Sequence, residues 1–323
     1  MRRKRLRGDR MRVVITGGAG FVGANLCCAL TSADPDVDLA IVDDFSTGYK
    51  SNLVGLPVTL YEGSVLDTDL LAEACAGADS IVHLAALASV PRSVADPVRV
   101  HEVNVTGTVR VLEAARVVGA HVIVASSSSV YGANPTLPKH EGLAAQPLSP
   151  YAASKLAAES YALAYQHVYG LRTLALRFFN IYGPLQSADH AYAAVIPTFL
   201  KAALAGRPIP MHGDGRQTRD FASVNSVVSV LVDAITRRIS HKSAVNLAFG
   251  TRTSLRELIA LIADIAGTPL AVERHPSRAG DVRDSQADAS GLRQLFPHAQ
   301  DEPLRAGLAR TYEWFAAGGG RQT

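Results

Sequence analysis

The stretch that decides the fold lies near the amino terminus and reads Arg12-Val13-Val14-Ile15-Thr16-Gly17-Gly18-Ala19-Gly20-Phe21-Val22-Gly23. A short β-branched run ends here in spaced glycines, and helix-forming residues follow from Ala24 to Leu30. Glycines allow a tight turn and a close approach of the backbone, and the free amides at a helix N-terminus attract phosphate charge. The order strand, glycine turn, helix therefore predicts a dinucleotide-binding turn.

A carboxylate follows the second predicted strand. The apolar run at 39–42 ends in Asp43, at about the 20-residue separation expected of the acid that hydrogen-bonds an adenosine ribose. A carboxylate in this place repels a 2'-phosphate, so the sequence favours NAD over NADP. The alternative interpretation is a turn aspartate at the end of a strand.

Strands and helices continue to alternate as far as Asn180. Buried strands are predicted at 58–62, 79–84, 121–125 and 174–178, with helices at 66–76, 97–118 and 151–169. This alternation is typical of an α/β protein with a doubly wound parallel sheet, the Rossmann arrangement. We therefore predict a NAD-binding domain over residues 11–180.

The rhythm changes after Asn180, where glycine and proline turns separate shorter elements. This predicts a smaller, substrate-binding lobe over residues 181–318 that closes over the edge of the sheet. The segments 224–238 and 244–248 are compatible with either part.

Composition narrows the class of protein. The formal net charge of the 323-residue chain is only +3, and much of it comes from a basic run at 1–10. We interpret this run as a disordered tail or a start-codon artefact ahead of Met11, in preference to a nucleic-acid arm or a targeting segment. No window approaches a membrane span, and the three cysteines have no metal-ligand spacing. We expect a cytoplasmic protein without a metal, nucleic-acid or membrane partner.

A phenol and an amine stand four residues apart in Pro150-Tyr151-Ala152-Ala153-Ser154-Lys155. Positions i and i+4 share a helix face, and a neighbouring ammonium lowers the pKa of a phenol from its usual value of about 10. Tyr151 is then a usable base near neutral pH. Taken alone, the pair is better explained by a solvated helix face, and the segments upstream favour the site.

Hydroxyls follow the predicted strand at 121–125, in the segment Ser126-Ser127-Ser128-Ser129. The carboxyl ends of parallel strands are where open α/β sheets bind ligands, although a plain turn is the alternative. Together with Tyr151 and Lys155, these hydroxyls predict proton transfer at a substrate alcohol, with a nicotinamide as the hydride partner.

The chain resembles the extended short-chain dehydrogenase/reductases and, among them, the nucleotide-sugar 4-epimerases. The resemblance runs from Met11 to about Phe315. Besides the segments quoted above, it is carried by Val42-Asp43-Asp44-Phe45-Ser46-Thr47-Gly48, Val82-His83-Leu84-Ala85-Ala86, Asn104-Val105-Thr106-Gly107-Thr108 and Arg177-Phe178-Phe179-Asn180-Ile181-Tyr182-Gly183-Pro184.

The resemblance implies a catalytic set of Ser127, Tyr151 and Lys155, with Ser127 on the sugar hydroxyl and Lys155 on the nicotinamide ribose. His83 is expected to position its neighbours. For bound NAD, together with Tyr151 and Lys155, the resemblance implies Gly17, Gly20, Phe21, Val22, Asp43, Ser46, Gly48, Ser64, Val65, Leu84, Ala85, Ala86 and Asn104. Position 64 departs from the family, which usually has an aspartate there.

For a nucleotide-sugar substrate, the resemblance implies Ser89, Arg92, Ser128, Ser129, Asn180, Arg219, Arg278 and Ser285. Asn180, Arg219 and Arg278 match positions that hold the diphosphate, and the planar fork of a guanidinium suits phosphate oxygens. The alternatives are a local Arg219–Asp220 ion pair and a solvated cation at position 278. His212 stands where relatives usually place an aromatic residue near the base.

The reaction implied is a reversible, NAD-dependent C4 epimerisation of a UDP-hexose through a 4-keto sugar. Family members that eliminate water or decarboxylate carry acids where this chain has Ser128 and Ser129. Relatives restricted to glucose and galactose nucleotides hold a tyrosine at the position of Ser285, so UDP-GlcNAc and UDP-GalNAc are expected here, with UDP-Glc and UDP-Gal as further substrates. The resemblance also implies a homodimer formed by the helices at 97–118 and 151–169. The alternatives are another nucleotide-sugar enzyme, such as a 4-ketoreductase or dehydratase, and a non-catalytic NAD-binding module.

Overall fold

The computed structural model describes residues 10–188, 193–276 and 283–319. The predicted basic tail, apart from Arg10, and the predicted diphosphate contact Arg278 lie outside the described residues.

The strands, numbered along the chain, are β1 (Arg12–Thr16), β2 (Asp38–Asp43), β3 (Val58–Glu62), β4 (Ser80–His83), β5 (His121–Ser127), β6 (Thr173–Phe178), β7 (Asn180–Tyr182), β8 (Ile209–His212), β9 (Thr218–Arg219), β10 (Phe221–Ser223), β11 (Val245–Leu247), β12 (Thr253–Ser254) and β13 (Val272–His275). The helices are α1 (Phe21–Ala33), α2 (Thr68–Cys75), α3 (Val90–Ala95), α4 (Pro97–His101), α5 (Gly107–Val118), α6 (Pro150–Tyr169), α7 (Val195–Leu204), α8 (Val224–Arg237), α9 (Leu255–Ala266), α10 (Ser290–Leu295) and α11 (Leu304–Ala316).

Seven of these strands form one parallel sheet in the order β11-β6-β5-β4-β1-β2-β3. Side chains alternate between its two faces, because successive residues of a strand point to opposite sides. In β1, Val13 and Ile15 pack in one core with α1 and α8, whereas Val14 packs in a second core with α2, α5 and α6. Helices therefore cover both faces, and the predicted doubly wound fold is confirmed.

The helix predicted at 97–118 contains one irregular turn. Between α4 and α5, the backbone at Glu102–Thr106 makes a π-helical turn. Within it, Asn104 is 1% exposed, accepts a hydrogen bond from the Leu87 amide at 2.8 Å and donates to Ser154 Oγ at 3.0 Å. The helical prediction over 97–118 is confirmed, since α4, this turn and α5 follow one another without a gap. The turn itself was not predicted, because it brings the Asn104 amide to partners that are distant in sequence.

The chain returns to the sheet after leaving it. Helix α8 packs against α1, and β11 pairs with β6 through the register Val245↔Leu176 and Leu247↔Phe178. The segments 224–238 and 244–248, which the sequence left open, therefore lie with the sheet.

Most other C-terminal elements form a separate core, in which Phe199 of α7, Leu258 of α9 and Leu308 of α11 are buried together. Short strand pairs flank this core: β7 with β10, β8 with β13 and β9 with β12. Because β7 begins two residues after β6 ends, these elements start at the carboxyl edge of the sheet. No helix in the described segments is long and apolar enough to cross a bilayer.

Candidate active site

A cavity of about 1080 Å³ lies at the carboxyl ends of the central strands. Its wall includes Gly17 after β1, Asp43 at the end of β2, Leu84 after β4, Ser127 at the end of β5 and Phe178 at the end of β6. This is the edge at which open α/β sheets bind ligands. These predicted motifs meet at the cavity because the strands that they follow all end at the same edge of the parallel sheet.

Most of the predicted site residues lie on this wall. The predicted cofactor residues found there are Gly17, Gly20, Phe21, Val22, Asp43, Ser46, Gly48, Val65, Leu84, Ala85, Ala86, Tyr151 and Lys155. The predicted sugar-nucleotide residues found there are Ser89, Arg92, Ser127, Asn180 and Arg219.

Five predicted residues do not line the cavity. Ser64 Oγ accepts a hydrogen bond from the Leu66 amide at 3.2 Å, and Asn104 makes the buried contacts described above. Both side chains stabilise loops beside the wall, and their direct contact with the cofactor stays a prediction. Asn104 still matters to the cavity, because it fixes the loop that carries Leu84 to Leu87.

The other three are serines predicted to contact the sugar. Ser128 does not line the wall, and Ser129 lies behind Ser127 and donates a hydrogen bond from its Oγ at 2.9 Å. The Ser285 amide donates to the carbonyl of Thr218, in β9, at 3.1 Å. Ser129 therefore supports Ser127, and the direct contacts of the three serines with the sugar stay predictions.

The glycine turn is required by sterics. Gly17 has a φ of +72°, and a Cβ on it would lie 2.7 Å from the Ala85 amide nitrogen. Gly20 precedes α1 as its N-cap and supplies no side-chain hydrogen bond to the first-turn amides. The turn thus offers backbone donors and open space for a pyrophosphate, and it fits the predicted dinucleotide.

Asp43 holds the glycine turn and the loop that follows β2. Its Oδ2 accepts the Ala19 amide at 2.9 Å, inside the glycine turn, and its Oδ1 accepts the Phe45 amide at 2.9 Å. Burial raises the pKa of this carboxyl group, against the lowering effect of the two amide bonds. Each carboxylate oxygen has a second lone pair, so Asp43 can hold the turn and still accept a ribose hydroxyl. The turn-aspartate interpretation and the cofactor interpretation are therefore compatible.

The amine of Lys155 and the phenol of Tyr151 project from the first turns of α6, which Ser149 caps by accepting the Ala152 amide at 3.1 Å. The Lys155 Nζ donates to the Ala125 carbonyl at 2.9 Å, and burial lowers the pKa of this amine to about 8. A partly desolvated ammonium with one fixed acceptor results.

The pKa of Tyr151 is raised. Burial of the half-buried phenol disfavours the phenolate, and a hydrogen bond from Ser127 partly opposes this effect. The prediction of a pKa lowered by Lys155 is wrong, because the hydrogen bond of that ammonium goes to Ala125 and the cost of desolvation is larger. The group that favours the phenolate is Ser127.

Ser127 is held so that it can donate. Its Oγ accepts hydrogen bonds from the Ser129 amide at 3.2 Å and from the Ser129 Oγ at 2.9 Å. With both acceptor positions used, the hydroxyl hydrogen of Ser127 is left to donate to Tyr151 or to a substrate oxygen.

His83 is a structural neighbour of this group. Its Nδ1 lies 2.7 Å from Thr16 Oγ1 and its Nε2 lies 2.9 Å from Thr108 Oγ1, which itself donates to the Asn104 carbonyl. His83 Nε2 must therefore be the donor to Thr108. Burial, with a smaller contribution from Lys155, lowers the pKa of His83 to about 3. The ring stays neutral and positions the ends of β1 and β4.

Several wall residues were not identified from the sequence: Thr47, Tyr49, Asn52, Leu185, Gln186 and Ser187. Asn52 donates to the Ala19 carbonyl at 2.9 Å and so supports the glycine turn. Leu185 has a φ of +69°, which is unusual for a residue other than glycine. These residues lie in loops without periodicity, and the Gly183-Pro184 turn was the one available signal. The described residues contain no cluster of three or more His, Cys, Asp or Glu side chains suited to a metal ion.

Known proteins are similar to this chain in sequence and in fold. The model of a family described as the NAD dependent epimerase/dehydratase family matches residues 13–248. A UDP-glucose 4-epimerase of Mycolicibacterium smegmatis is 39% identical over 314 residues, which cover 94% of this chain and 98% of that protein.

Solved structures agree. A UDP-N-acetylglucosamine 4-epimerase from Methanobrevibacter ruminantium M1, in complex with UDP-N-acetylmuramic acid, has a TM-score of 0.91 at 34% identity and covers 96% of this chain and 99% of its own. A UDP-glucuronic acid 4-epimerase from Bacillus cereus, in complex with UDP-glucuronic acid and NAD, has a TM-score of 0.87 at 27% identity. The match covers 95% of this chain and 99% of that one. The family match includes the glycine turn, Asp43, Ser127, Tyr151 and Lys155. This chain therefore belongs to the NAD dependent epimerase/dehydratase family.

Proposed function

We propose that the protein interconverts the C4 epimers of a UDP-hexose with NAD as its cofactor. The preferred pair is UDP-GlcNAc and UDP-GalNAc, and UDP-Glc and UDP-Gal are further substrates. The observation that carries the proposal is that Ser127, Tyr151 and Lys155 share one cavity wall with the glycine turn and Asp43. Groups suited to proton transfer and groups suited to binding a dinucleotide thus line the same cavity.

The chain's own residues handle the proton. When bound, NAD supplies the acceptor and donor of a hydride. Tyr151 removes the proton of the sugar 4-hydroxyl as C4 becomes a ketone, and returns a proton to that oxygen once the ketone has presented its opposite face. The Ser127 hydroxyl, which Ser129 holds in place, donates a hydrogen bond to the Tyr151 oxygen or the sugar oxygen, whichever carries the negative charge. Lys155 would hold the nicotinamide ribose, Asp43 the adenosine ribose, and Asn180 with Arg219 the diphosphate.

The distribution of acids favours epimerisation over elimination or decarboxylation. Among the described residues, the carboxylates on the cavity wall are Asp43 and Asp44, at the end of β2. Three strand spacings separate β2 from β5, which is about 14 Å at the usual distance between strands. No second acid therefore accompanies Tyr151 on the wall, whereas the other two reactions need one.

The sugar is tested by direct assay. The two relatives named for UDP-glucose and for UDP-N-acetylglucosamine leave the choice of pair to experiment. Purified protein should release a nicotinamide nucleotide on denaturation and should interconvert both UDP-sugar pairs, as followed by NMR of the C4 proton. Tyr151→Phe should keep the nucleotide and lose the interconversion. A sample without bound nicotinamide that is also inactive with added NAD would refute the proposal.

The preference for the N-acetylated pair rests on position 285, next to β9. Ser285→Tyr should suppress turnover of UDP-GlcNAc before that of UDP-Glc, because a tyrosine, unlike the serine, is long enough to enter the cavity beside Arg219 and fill the space for the 2-substituent. Equal losses on both pairs, measured as kcat/KM, would show that Ser285 does not set this preference.

We also propose a homodimer formed through the helices at 97–118 and 151–169, of which α4 and α6 pack against each other in one chain. The support is a set of exposed apolar side chains: Val94 is 66% exposed, Val98 is 68% exposed and Tyr161 is 43% exposed. Light scattering should give twice the mass of the chain, and Val98→Asp should shift the mass to that of a monomer. We place the protein in the cytoplasm, where its three free thiols would stay reduced.

A further inference from the structure

Three side chains of α6, spaced one turn apart, face the end of β5. Lys155 Nζ donates to the Ala125 carbonyl, Glu159 accepts the Ser126 hydroxyl, and Tyr151 lines the same cavity wall as Ser127. Positions i, i+4 and i+8 share one helix face, so the two hydrogen bonds set the place of the helix, and with it Tyr151, on the strand. Tyr151 and Lys155 line the cavity, and Glu159 does not.

Glu159 is a buried charge with fixed partners. It is 3% exposed, and its Oε2 accepts the Ser126 hydroxyl at 2.7 Å. Arg177 of β6 donates to both of its oxygens, from Nη2 at 2.6 Å and from Nε at 2.9 Å. Ser126 and Arg177 are paired in the register of β5 and β6. One carboxylate thus joins α6 to two strands whose ends form the cavity wall.

Stability alone does not account for this arrangement. Desolvation offsets much of the attraction in a buried ion pair, and well-packed apolar residues of similar volume are often equally or more stabilising. An apolar pair would, however, lack the directional bond to Ser126. That bond fixes the residue immediately before Ser127, at the point where the strand turns away from the sheet.

We propose that Glu159 is a positioning residue that, through Ser126, fixes the Ser127 hydroxyl against the Tyr151 phenol. The proposal deepens the proposed function and rests on it for its kinetic consequence. Loss of the Ser126 bond lets Ser127 drift and weakens the donor that favours the phenolate, so the phenol becomes harder to ionise. Ser126 lies on the cavity wall, but its hydroxyl is bonded to Glu159, and groups that would bind the nucleotide and the diphosphate, such as Asp43 and Arg219, come from other elements and are unaffected.

The first test is Ser126→Ala, which removes the hydroxyl and leaves the ion pair intact. We expect kcat to fall about tenfold, as small misplacements of catalytic groups do, with KM and retained NAD within about twofold of the wild type. The acidic limb of the kcat profile should move to higher pH. Ser126→Thr, which keeps a hydroxyl, should restore most of the rate. The matched control is Ser160→Ala, whose hydroxyl binds only the Leu156 carbonyl on the exposed face of α6.

A second variant separates geometry from stability. Glu159→Leu combined with Arg177→Met replaces the pair by apolar side chains, and we expect the melting temperature to be kept or raised while kcat falls at least about tenfold. If this protein does not fold, Ser126→Ala decides the question alone.

A spectroscopic measurement tests the proposal without depending on enzyme activity. The ionisation of Tyr151 is followed by tyrosinate absorbance, as the difference between each protein and its Tyr151→Phe counterpart. The phenol pKa should be higher in Ser126→Ala than in the wild type. Absence of epimerisation by the wild type would refute the proposed function and leave this titration valid. Wild-type kcat together with a wild-type phenol pKa in Ser126→Ala would overturn the role of Glu159.

Discussion

At the scale of single residues, the proposed base, Tyr151, is a phenol that its surroundings make harder to ionise. The identities of Ser127, Tyr151 and Lys155 follow from sequence spacing and family resemblance, but the electrostatic relation between them does not. Spacing brings the amine to the correct helix face, whereas its hydrogen-bond partner, the Ala125 carbonyl, comes from a strand 30 residues away along the chain. The direction of the Tyr151 pKa shift depends on such distant partners, so the sequence could not supply it.

Replacement of Ser127 tests this relation directly. Ser127→Ala should raise the pKa of Tyr151 further and lower kcat about a hundredfold, because it removes the hydrogen bond that favours the phenolate. Steady-state kinetics from pH 6 to 10 would show both effects. Thr236→Ala, which removes an exposed hydroxyl bonded to the Val232 carbonyl, is the control and should keep the wild-type profile. A rate unchanged in Ser127→Ala would exclude this serine from catalysis.

The amine of Lys155 should set the alkaline limb of activity. Burial lowers its pKa to about 8, so the ammonium is present at pH 7 and is lost as the pH rises through 8. Since Tyr151 needs a higher pH to ionise, the two groups act in opposite directions. We expect kcat to decline above about pH 8, and Lys155→Arg, whose guanidinium stays charged, to keep its own rate to at least pH 9. A wild-type rate that still climbs at pH 9.5 would contradict this assignment.

At the scale of elements, regular strands and helices were predictable and their irregular junctions were not. Strand β3 lies where it was predicted, at 58–62, and helix α6 begins one residue earlier than predicted. These segments have clear periodicity or caps. The π-helical turn at Glu102–Thr106 has no such local signature, because it exists to bring Asn104 to Leu87 and Ser154.

The glycine turn between β1 and α1 allows a matched comparison. Gly17 and Gly77 have nearly the same φ, +72° and +71°, but a Cβ at position 17 would meet the Ala85 backbone at 2.7 Å, whereas at position 77 its nearest neighbour is the Arg12 Cδ at 4.0 Å. Gly77→Ala should cost about 1–2 kcal/mol for the left-handed backbone alone. Gly17→Ala should cost more and should also release NAD.

Chemical denaturation and the nucleotide content of each variant would measure the difference between the two glycines. Equal losses of stability, with NAD retained in both proteins, would show that the approach of the turn to Ala85 is not essential.

At the scale of the whole molecule, buried histidines should limit stability in acid. His121 has no exposed surface, lies 2.7 Å from the Ile239 carbonyl through Nε2, and has its pKa lowered by burial to about 4. Below about pH 6.5 the unfolded chain binds a proton at this residue and the folded chain does not. The stability contributed by the neutral ring is therefore present above pH 6.5 and is lost as the pH falls toward 4.

The variant His121→Gln isolates this effect from the buried carboxyl groups, whose raised pKa values act in the opposite sense. The advantage of the wild type over His121→Gln in free energy of unfolding should shrink by about 2 kcal/mol between pH 7 and pH 5. Denaturant titrations at each pH would measure it, and His167→Gln on an exposed face of α6 should leave the pH dependence unchanged. A constant difference would refute the assignment.

Most of the overall topology could be predicted from the sequence, except for one strand at the edge of the sheet. The alternation of elements up to Asn180 specified six parallel strands, but β11 is three residues long and its pairing with β6 links distant parts of the chain. A run this short has no pattern of its own, so only the assembled sheet identifies it. The division into a cofactor-binding part and a sugar-binding lobe stays a prediction.

That late strand has a consequence for biosynthesis. The ribosome synthesises β6 well before β11. At about 5–20 residues per second, the edge of β6 that pairs with β11 stays unpaired for several seconds. During this interval the edge is a template for pairing with other nascent chains. Expression conditions that slow translation or crowd polysomes should therefore increase inclusion-body formation, and a gene truncated before codon 245 should yield mostly insoluble product.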